Sequence, residues 1–509
     1  MATAEQVIAL THQDTHNEKL ISNVRPFDWV NPEPSPRYNL VVIGAGTAGL
    51  ICAAGAAGLG AKVALIERAL MGGDCLNAGC VPSKALIRSA RAFADARRAP
   101  AFGLSAGPDG RVDFAAVMER MRRLRTALSS NDGAARYRGL GVDVFFGGAR
   151  FASADSIEVG RKTLRFGRAV IATGSRATAP PIPGLREAGF LTSETVFSLT
   201  ALPRRLVVIG AGPVGCELAQ AFRRFGAEVA LLEAEPGILP KEDRDAANVV
   251  RAALLRDGID LTESCNIQSV EAGCQEKIVN LECDGKSCAI PCDQILVGTG
   301  RAPVVDGLNL EAASVEYDPR TGVKVNDHLR TSNPRIFAAG DICTAYKFTH
   351  VSDAMARIVI RNALFLGRER VSALTIPWCT YTDPEISHVG LYEHEARGRG
   401  IEVKTFMQPL SEVDRAMLDG ETEGFVKVHV RKGSDEIVGA TIVASHAGEM
   451  ISELTLAMVG KLGLSTIART IHPYPTQAEA IRKVGDAYNR SRLTRRVSRL
   501  LLHWLRWAR

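Results

Sequence analysis

The chain alternates short apolar runs with glycine-rich turns and alanine-rich stretches, and one such pattern occurs twice. LVVIGAGTAGLICAAGAAGLGAKVALIE spans residues 40–67, and LVVIGAGPVGCELAQAFRRFGAEVALLE spans residues 206–233. Each copy opens and closes on an apolar run that predicts a buried strand, and the stretch between the runs predicts a helix. The repeat therefore predicts two α/β domains, each built around buried strands.

A Gly-x-Gly-x-x-Gly turn and a terminal acid mark both copies. The turns are Gly44, Gly46 and Gly49, then Gly210, Gly212 and Gly215, and the acids are Glu67 and Glu233. In such a turn the first glycine permits the bend, the second lets the backbone approach a pyrophosphate, and the third allows close helix–strand packing. The acid accepts hydrogen bonds from a ribose. The pattern predicts two Rossmann-like dinucleotide sites, unless one copy is an empty duplicate. Two sites favour a relay from an exchangeable nicotinamide to a tightly held flavin.

Two cysteines lie close together in GGDCLNAGCVPSK, residues 72–84. The reactive form of cysteine is the thiolate, which a helix N-terminus and a nearby lysine favour. Cys75 and Cys80 are therefore candidates for redox chemistry, and the alternative is a pair of small residues that never react. The other nine cysteines show no spacing typical of a zinc site, so we interpret them as structural.

The chain from about residue 38 to 489 resembles the flavoprotein disulfide reductases, a family that includes glutathione reductase, dihydrolipoyl dehydrogenase and mercuric reductase. The resemblance rests on both glycine turns, on C-x4-C-V-P-S-K, and on three further segments. These are AVIATG (169–174), ILVGTGRAP (295–303) and TSNPRIFAAGD (331–341). It implies FAD at the first turn and a nicotinamide at the second. Further cofactor contacts are implied for Thr173, Gly174, Gly300 and Asp341.

The resemblance also implies how the redox site is divided. Lys84 is expected beside the flavin ring, paired with Glu217. Cys80 is expected to touch the flavin as a charge-transfer thiolate, and Cys75 is expected to attack or bind the substrate. Electrons would then pass from nicotinamide to flavin to the cysteine pair.

The domain organisation follows from the same segments. The expected order is an N-terminal, mostly irregular lead (1–36), an FAD domain (37–185 and 304–372), an inserted NAD domain (186–303), an α+β dimerisation domain (373–489) and a basic amphipathic helix (490–509). In relatives the dimerisation domain completes the active site of the partner subunit. A homodimer is therefore implied.

The segment HPYPTQAE, residues 472–479, bears on the substrate. Disulfide reductases of this family carry a histidine that protonates the departing thiol and a glutamate that orients it. Alignment on Glu479 puts Tyr474 in the histidine position, with His472 two residues away. A phenol, whose reference pKa is near 10, is a poor proton shuttle at neutral pH. Mercuric reductases are similar here, since they carry a tyrosine near the metal.

The leading hypothesis is therefore an FAD enzyme whose Cys75 and Cys80 transiently bind and reduce a thiophilic metal ion such as Hg(II), or a similar small acceptor. The chain lacks the C-terminal cysteine pair of typical mercuric reductases, because no cysteine follows Cys379. A disulfide reductase of dihydrolipoyl dehydrogenase type is the alternative, with His472 as the acid–base. A redox-responsive flavoprotein at a membrane surface is a third possibility.

Charge and composition narrow the partners. The net charge is +6, but the last twenty residues hold seven arginines and no acid, so the rest of the chain is near neutral and suggests no nucleic acid. Residues 490–509 predict a basic amphipathic helix that either packs on the body or contacts a membrane surface. The N-terminus does not resemble a secretory signal and no apolar run is long enough to span a membrane, so a cytoplasmic protein is expected.

The end of the second repeat and the residues that follow it predict which nicotinamide cofactor, NADH or NADPH, is preferred. A carboxylate at Glu233 bonds a ribose 2′-hydroxyl and repels a 2′-phosphate. The following residues, AEPGIL, offer no arginine to hold that phosphate. The sequence therefore predicts NADH over NADPH.

Overall fold

The computed structural model describes residues 14–105, 112–273, 276–283 and 285–509. They form two compact units, one made of residues up to 234 with residues 260–374, and the other of residues 235–259 with residues 375–509. The start of the N-terminal segment, residues 1–13, lies outside the described residues.

The strands of the first unit are β1 Tyr38–Ile43, β2 Val63–Glu67, β3 Asp143–Phe146, β4 Ala149–Ser153, β5 Ser156–Val159, β6 Lys162–Ile171, β7 Ser175–Ala177, β8 Arg205–Ile209, β9 Glu228–Leu232, β10 Asp260–Thr262, β11 Asn266–Ala272, β12 Lys277–Cys283, β13 Lys286–Cys292, β14 Gln294–Val297, β15 Arg301–Pro303, β16 Tyr317–Asp318, β17 Gly322–Val323 and β18 Ile336–Ala338. Those of the second unit are β19 Pro377–Thr380, β20 Glu385–Gly390, β21 Val403–Pro409, β22 Phe425–Arg431 and β23 Ile437–Ala444.

The α-helices, in chain order, are α1 Thr15–Val24, α2 Thr47–Gly58, α3 Gly73–Asn77, α4 Cys80–Arg98, α5 Phe114–Ser129, α6 Ala134–Gly139, α7 Leu185–Ala188, α8 Pro213–Phe225, α9 Arg244–Arg256, α10 Thr349–Leu364, α11 Glu393–Gly398, α12 Asp414–Asp419, α13 Ala447–Val459, α14 Leu464–Arg469, α15 Glu479–Ser491 and α16 Arg495–Trp507. Helices α9 and α11–α16 belong to the second unit.

Two parallel sheets organise the first unit. In the first, strands run in the order β3-β2-β1-β6, β18 pairs in parallel with the end of β6, and β5 pairs antiparallel with its beginning. In the second, the order is β10-β9-β8-β14. Strands β1 and β8 are buried along nearly their whole length, as the apolar runs of the repeat predict. Each glycine turn follows one of them and leads into a helix, α2 or α8.

The second unit contains a five-stranded antiparallel sheet with the order β19-β20-β23-β22-β21. Helices α13, α14 and α15 contribute to its core, in which Ile442, Leu454 and Ile481 are buried. Together with the two parallel sheets, this unit confirms the predicted fold class of two Rossmann-like domains and a C-terminal α+β domain.

The N-terminal lead differs from the expected irregular segment, because residues 15–24 form helix α1. Asp14 caps it by accepting a hydrogen bond from the backbone N–H of Asn17 at 2.8 Å. Its apolar residues Leu20, Ile21 and Val24 are buried, and the helix packs on α5. A helix this short is held by tertiary packing rather than by its own pattern, which is why the sequence did not reveal it.

Residues 235–259, which sequence analysis assigned to the NAD domain, group with the C-terminal unit. Lys427 of β22 donates to Asp243 at 2.9 Å and to Asp245 at 2.6 Å. Trp378 donates to Glu242 at 2.9 Å. Charge pairs between distant segments leave no periodic signal in the sequence, so this grouping could not be predicted from hydrophobic patterns.

Candidate active site

The first glycine turn has the geometry of a dinucleotide cradle. Gly44 has φ +100°, a conformation that favours glycine. A Cβ on Gly49 would lie 1.8 Å from the Gly44 carbonyl oxygen, so only glycine lets α2 pack this closely on the turn. A Cβ on Gly46, in contrast, would meet nothing nearer than the Gly73 Cα at 3.7 Å. The chain itself therefore does not require glycine at residue 46, and the space suits a ligand.

The second turn repeats this division. Gly210 has φ +98°, and a Cβ on Gly215 would lie 1.9 Å from the Gly210 carbonyl oxygen. A Cβ on Gly212 would have no atom within 4 Å, and its φ of −71° is open to any residue. Free space at the middle glycine of both turns fits the close approach of a pyrophosphate, so the residues present fit two dinucleotides.

The two acids are tied to the turns. The Glu67 carboxylate accepts hydrogen bonds from the backbone N–H groups of Ala45 and Ala69, both at 2.7 Å. Burial raises the pKa of Glu67, and the two N–H groups oppose that shift. The Glu233 carboxylate accepts from the Ala211 N–H at 2.6 Å. Each acid thus stands at the strand end beside its turn, where a ribose would lie.

The donor preference can be tested at Glu233. A carboxylate fixed to the turn by the Ala211 N–H would meet the 2′-phosphate of NADPH as a like charge, which costs several kcal/mol. We expect kcat/KM for NADH to exceed that for NADPH by at least about tenfold. Replacement Glu233→Gln should narrow the ratio, and a clear NADPH preference in the wild type would contradict the assignment. The matched control is Glu67→Gln, which removes the same acid at the first turn and should leave the donor ratio unchanged.

The two cysteines flank a short loop at the start of a long helix. Cys75 lies in α3, and Cys80 is the first residue of α4, with Gly79 as its N-cap. Both thiols are free, and Cys80 is the more exposed. The Thr349 hydroxyl lies 3.4 Å from the Cys80 sulfur. The unpaired N–H groups of the first helical turn favour negative charge at this position.

The two thiols titrate far apart. A hydrogen bond from Cys75, together with Thr349 and the charge of Lys84, lowers the pKa of Cys80 to about 6 against the opposing effect of burial. The same hydrogen bond and burial raise the pKa of Cys75. At neutral pH the proton is therefore held by Cys75 and the thiolate by Cys80. This split agrees with the roles that the resemblance implies.

Buried polar groups position the loop between the cysteines. The Asn77 side chain donates to the carbonyl oxygens of Met71 at 3.0 Å and Gly73 at 2.8 Å. Arg125 of α5 donates to the Asn77 carbonyl oxygen at 2.8 Å, and it also donates to the Asn17 side chain at 2.6 Å. Helix α1 thus reaches the redox loop through Arg125. Sequence reasoning missed Asn17 and Arg125, because neither belongs to a motif.

An ion pair joins the redox helix to the helix of the second glycine turn. Lys84 Nζ on α4 lies 2.7 Å from Glu217 Oε2 on α8, and the Glu217 side chain is only 6% exposed. This is the pair that the resemblance implies. The charge on Lys84 is also one of the causes of the low Cys80 pKa.

A second polar network includes the predicted cofactor residue Asp341. Arg301 forms an ion pair with Asp74 at 3.0 Å and donates to the Ser175 hydroxyl at 2.8 Å. Ser175 in turn donates to Asp341 at 2.7 Å. Arg301 directly follows Gly300 and Ser175 follows Gly174, so both glycines belong to turns that place this network. Arg301 lies in the segment ILVGTGRAP, from which only Gly300 was predicted to contact a cofactor.

The remaining predicted cofactor residue, Thr173, has a structural partner. Its hydroxyl donates to the Val304 carbonyl oxygen at 2.8 Å. This bond fixes the backbone that leads into Gly174, which has φ +69°. A role for Thr173 in holding FAD would thus act through the backbone.

The segment around Tyr474 belongs to the second unit. The Tyr474 hydroxyl donates to Asp414 at 3.0 Å, and this bond raises the pKa of the phenol. His472 Nδ1 faces the Thr470 carbonyl oxygen at 3.0 Å, and Nε2 faces Glu453 at 3.0 Å. Both ring nitrogens of His472 therefore already have partners within the chain.

Glu479 does not pair with an imidazole. Its carboxylate lies 2.6 Å from Arg482, one turn along α15. The structure therefore brings Cys75, Cys80, Lys84 and Glu217 together in the first unit, and holds Glu479 in the second.

Comparison with known proteins places the chain in a family. Residues 38–356 match the family described as pyridine nucleotide-disulphide oxidoreductase, and residues 376–484 match the dimerisation domain of that family. The chain belongs to the pyridine nucleotide-disulphide oxidoreductases. The family is FAD-dependent and uses pyridine nucleotides, and the dimerisation domain supports a homodimer.

Two kinds of relative are similar to nearly the same degree. A mercuric reductase of Bacillus cereus is 36% identical over 453 residues, which cover 89% of this chain and 72% of that protein. A dihydrolipoyl dehydrogenase of Thermus scotoductus is 36% identical over 462 residues, which cover 89% of this chain and 98% of that protein. Overall similarity therefore does not separate the two activities.

Solved structures share the fold. The copper(II) complex of the HOCl-induced flavoprotein disulfide reductase RclA from Escherichia coli is 27% identical with a TM-score of 0.79, and the match covers 87% of this chain and 98% of that one. The structure of LpdA from Mycobacterium tuberculosis is 25% identical with a TM-score of 0.81, over 89% of this chain and the whole of that one.

Proposed function

We propose that this member of the family is an NADH-dependent flavoenzyme that reduces a thiophilic metal ion, such as Hg(II), or a similar small acceptor. One observation carries the proposal. In the segment where a disulfide reductase needs a proton-transferring histidine, the chain has Tyr474, and both nitrogens of His472 face acceptors. Reduction of a soft ion held by thiolates breaks no disulfide bond, so it does not need that histidine in the same way.

The electrons balance over one turnover. NADH and Hg(II) give NAD⁺, a proton and Hg(0), so the two electrons of the hydride equal those that mercury accepts. FAD, when bound, supplies the acceptance of hydride and the return of two electrons. The FAD pyrophosphate would be held by the turn of Gly44, Gly46 and Gly49. Glu67 would bind the ribose of FAD, and Asp341 would bind its ribityl chain.

The side chains do the rest. Cys80, as the thiolate, offers a soft ligand at neutral pH, and Cys75 becomes the second ligand when its proton leaves. Lys84 stabilises the negative charge of the pair. Tyr474 of the partner subunit would line the site.

A disulfide reductase of dihydrolipoyl dehydrogenase type is the second candidate. The match over 98% of the Thermus scotoductus enzyme favours it. This candidate requires His472 to exchange its bond with Glu453 for a bond to substrate. The similarity to a copper(II)-bound reductase favours a metal acceptor instead.

The choice of acceptor is tested by NADH oxidation. Hg(II) supplied with excess small thiol is expected to stimulate the rate at least about a hundredfold more than oxidised lipoamide or glutathione disulfide, since loss of a general acid costs about that factor. Cu(II) with the same thiol is a second metal arm, and a reaction without enzyme corrects for direct reduction by the thiol. Rapid lipoamide reduction with no response to Hg(II) would establish the second candidate.

A further inference from the structure

The C-terminal helix α16 exposes its apolar face. The helix begins after Thr494, whose hydroxyl accepts a hydrogen bond from the Val497 N–H, and none of its residues is buried. Leu500, Trp504 and Trp507 are 72%, 61% and 77% exposed. They fall at spacings of four and three residues and so share one side of the helix. Among the described residues, α16 therefore does not show the packing on the body of the chain that was one of the two sequence-based interpretations.

The helix also starts later than predicted. Residues 490 and 491 belong to α15, and α16 begins only at Arg495. Three arginines of α16, at residues 495, 499 and 506, lie opposite the apolar face, and Arg496 lies at its edge. Removing large apolar side chains from water is favourable, so this exposed face suits an apolar partner.

Charge decides which partner fits. The last twenty residues carry seven arginines and no acid. A second copy of the helix would bring seven more positive charges to the same place, and the near-neutral remainder of the chain offers no compensating excess of acid. The surface of an anionic bilayer offers both an apolar boundary and negative charge.

We propose that α16 lies flat on anionic lipid, with the side of Leu500, Trp504 and Trp507 at the acyl boundary and the arginines among the head groups. The helix has 13 residues, so it is about 20 Å long, which is shorter than the hydrocarbon core of about 30 Å. Among the described residues, no helix is long and apolar enough to cross a membrane. Tryptophan at the membrane–water boundary is the usual placement of this side chain.

A matched pair of leucines tests the proposal in the full chain. Leu500 lies on the apolar side, whereas Leu502 lies about 200° away among the arginines and is also exposed, at 55%. The measurement is sedimentation with vesicles of phosphatidylcholine mixed with phosphatidylglycerol. We expect Leu500→Ser to weaken vesicle binding at least about tenfold and Leu502→Ser to change it less than about twofold.

The charged face has its own arm. Vesicles of pure phosphatidylcholine should bind the wild type more weakly, and about 1 M salt should release it from the mixed vesicles. Equal loss with both leucine variants, or no sedimentation with any vesicle, would overturn the proposal. So would a change of oligomeric state caused by Leu500→Ser alone, because that result would identify a second copy as the partner.

The test does not depend on the acceptor. Both leucines lie outside the residues assigned to redox chemistry. In the absence of vesicles, NADH oxidation by both variants should therefore match that of the wild type. Thermal stability should also be unchanged, since the replaced side chain is exposed. A lower Tm for Leu500→Ser would instead show that this face packs on protein.

Discussion

Alanine at Cys75 or at Cys80 is expected to abolish acceptor-dependent NADH oxidation. In the proposed reaction the thiol pair passes the electrons to the acceptor, so loss of either sulfur should lower kcat/KM for the acceptor at least about a thousandfold. The two variants should differ in spectrum. Cys75→Ala keeps the Cys80 sulfur beside Thr349 and Lys84, which favour the thiolate, although it loses the hydrogen bond from Cys75 that lowers the Cys80 pKa most. Cys80→Ala has no thiolate at this position.

The matched control is an exposed cysteine outside the site. Cys288 lies in β13 and is exposed, so Cys288→Ala should retain wild-type turnover. Both active-site variants should still bind FAD, because neither cysteine belongs to a glycine turn. Appreciable acceptor turnover in Cys75→Ala would show that reduction bypasses the pair.

The two later glycines of the second turn are expected to fail differently when changed to alanine. In Gly215→Ala the new Cβ would lie 1.9 Å from the Gly210 carbonyl oxygen, so α8 must move away from β8. We expect a loss of about 1–3 kcal/mol or more in unfolding free energy, seen as a Tm lower by several degrees. The same shift would displace Glu217 from Lys84.

Gly212→Ala should leave the fold intact. Its Cβ would meet no atom within 4 Å, and the backbone conformation suits alanine. The methyl group would occupy space that the turn leaves to the pyrophosphate, so the KM for NADH should rise at least about tenfold while Tm changes by no more than a few degrees. An unchanged KM would mean that the nicotinamide binds elsewhere.

The fold was largely predictable because the local sequence of the repeat determines its secondary structure. Apolar runs of strand length and glycines at fixed spacing specify a strand, a turn and a helix, and the structure shows why the first and third positions of each turn need glycine. The predicted pairing of Lys84 with Glu217 came from resemblance, since no local pattern links residues 133 positions apart.

What could not be predicted depends on contacts between distant segments. The grouping of residues 235–259 with the C-terminal unit rests on charges such as Lys427 with Asp243. The bond of His472 to Glu453 likewise joins a loop residue to a residue of helix α13. The sequence alone therefore left His472 as a candidate acid–base residue. The exposure of α16 required coordinates, because an amphipathic pattern alone fits packing on protein equally well.

The contact from α1 to the redox loop limits how far the N-terminus of the protein can be truncated. The family match begins at residue 38, whereas Asn17, whose side chain accepts a hydrogen bond from Arg125, lies well before that point. A version trimmed to the matched segment would retain every recognisable motif and both cysteines. It would nevertheless remove Asn17, which accepts a hydrogen bond from the buried Arg125 guanidinium. That guanidinium also donates to the Asn77 carbonyl oxygen, between the two cysteines. Motif content is therefore a poor guide to where this enzyme can be cut.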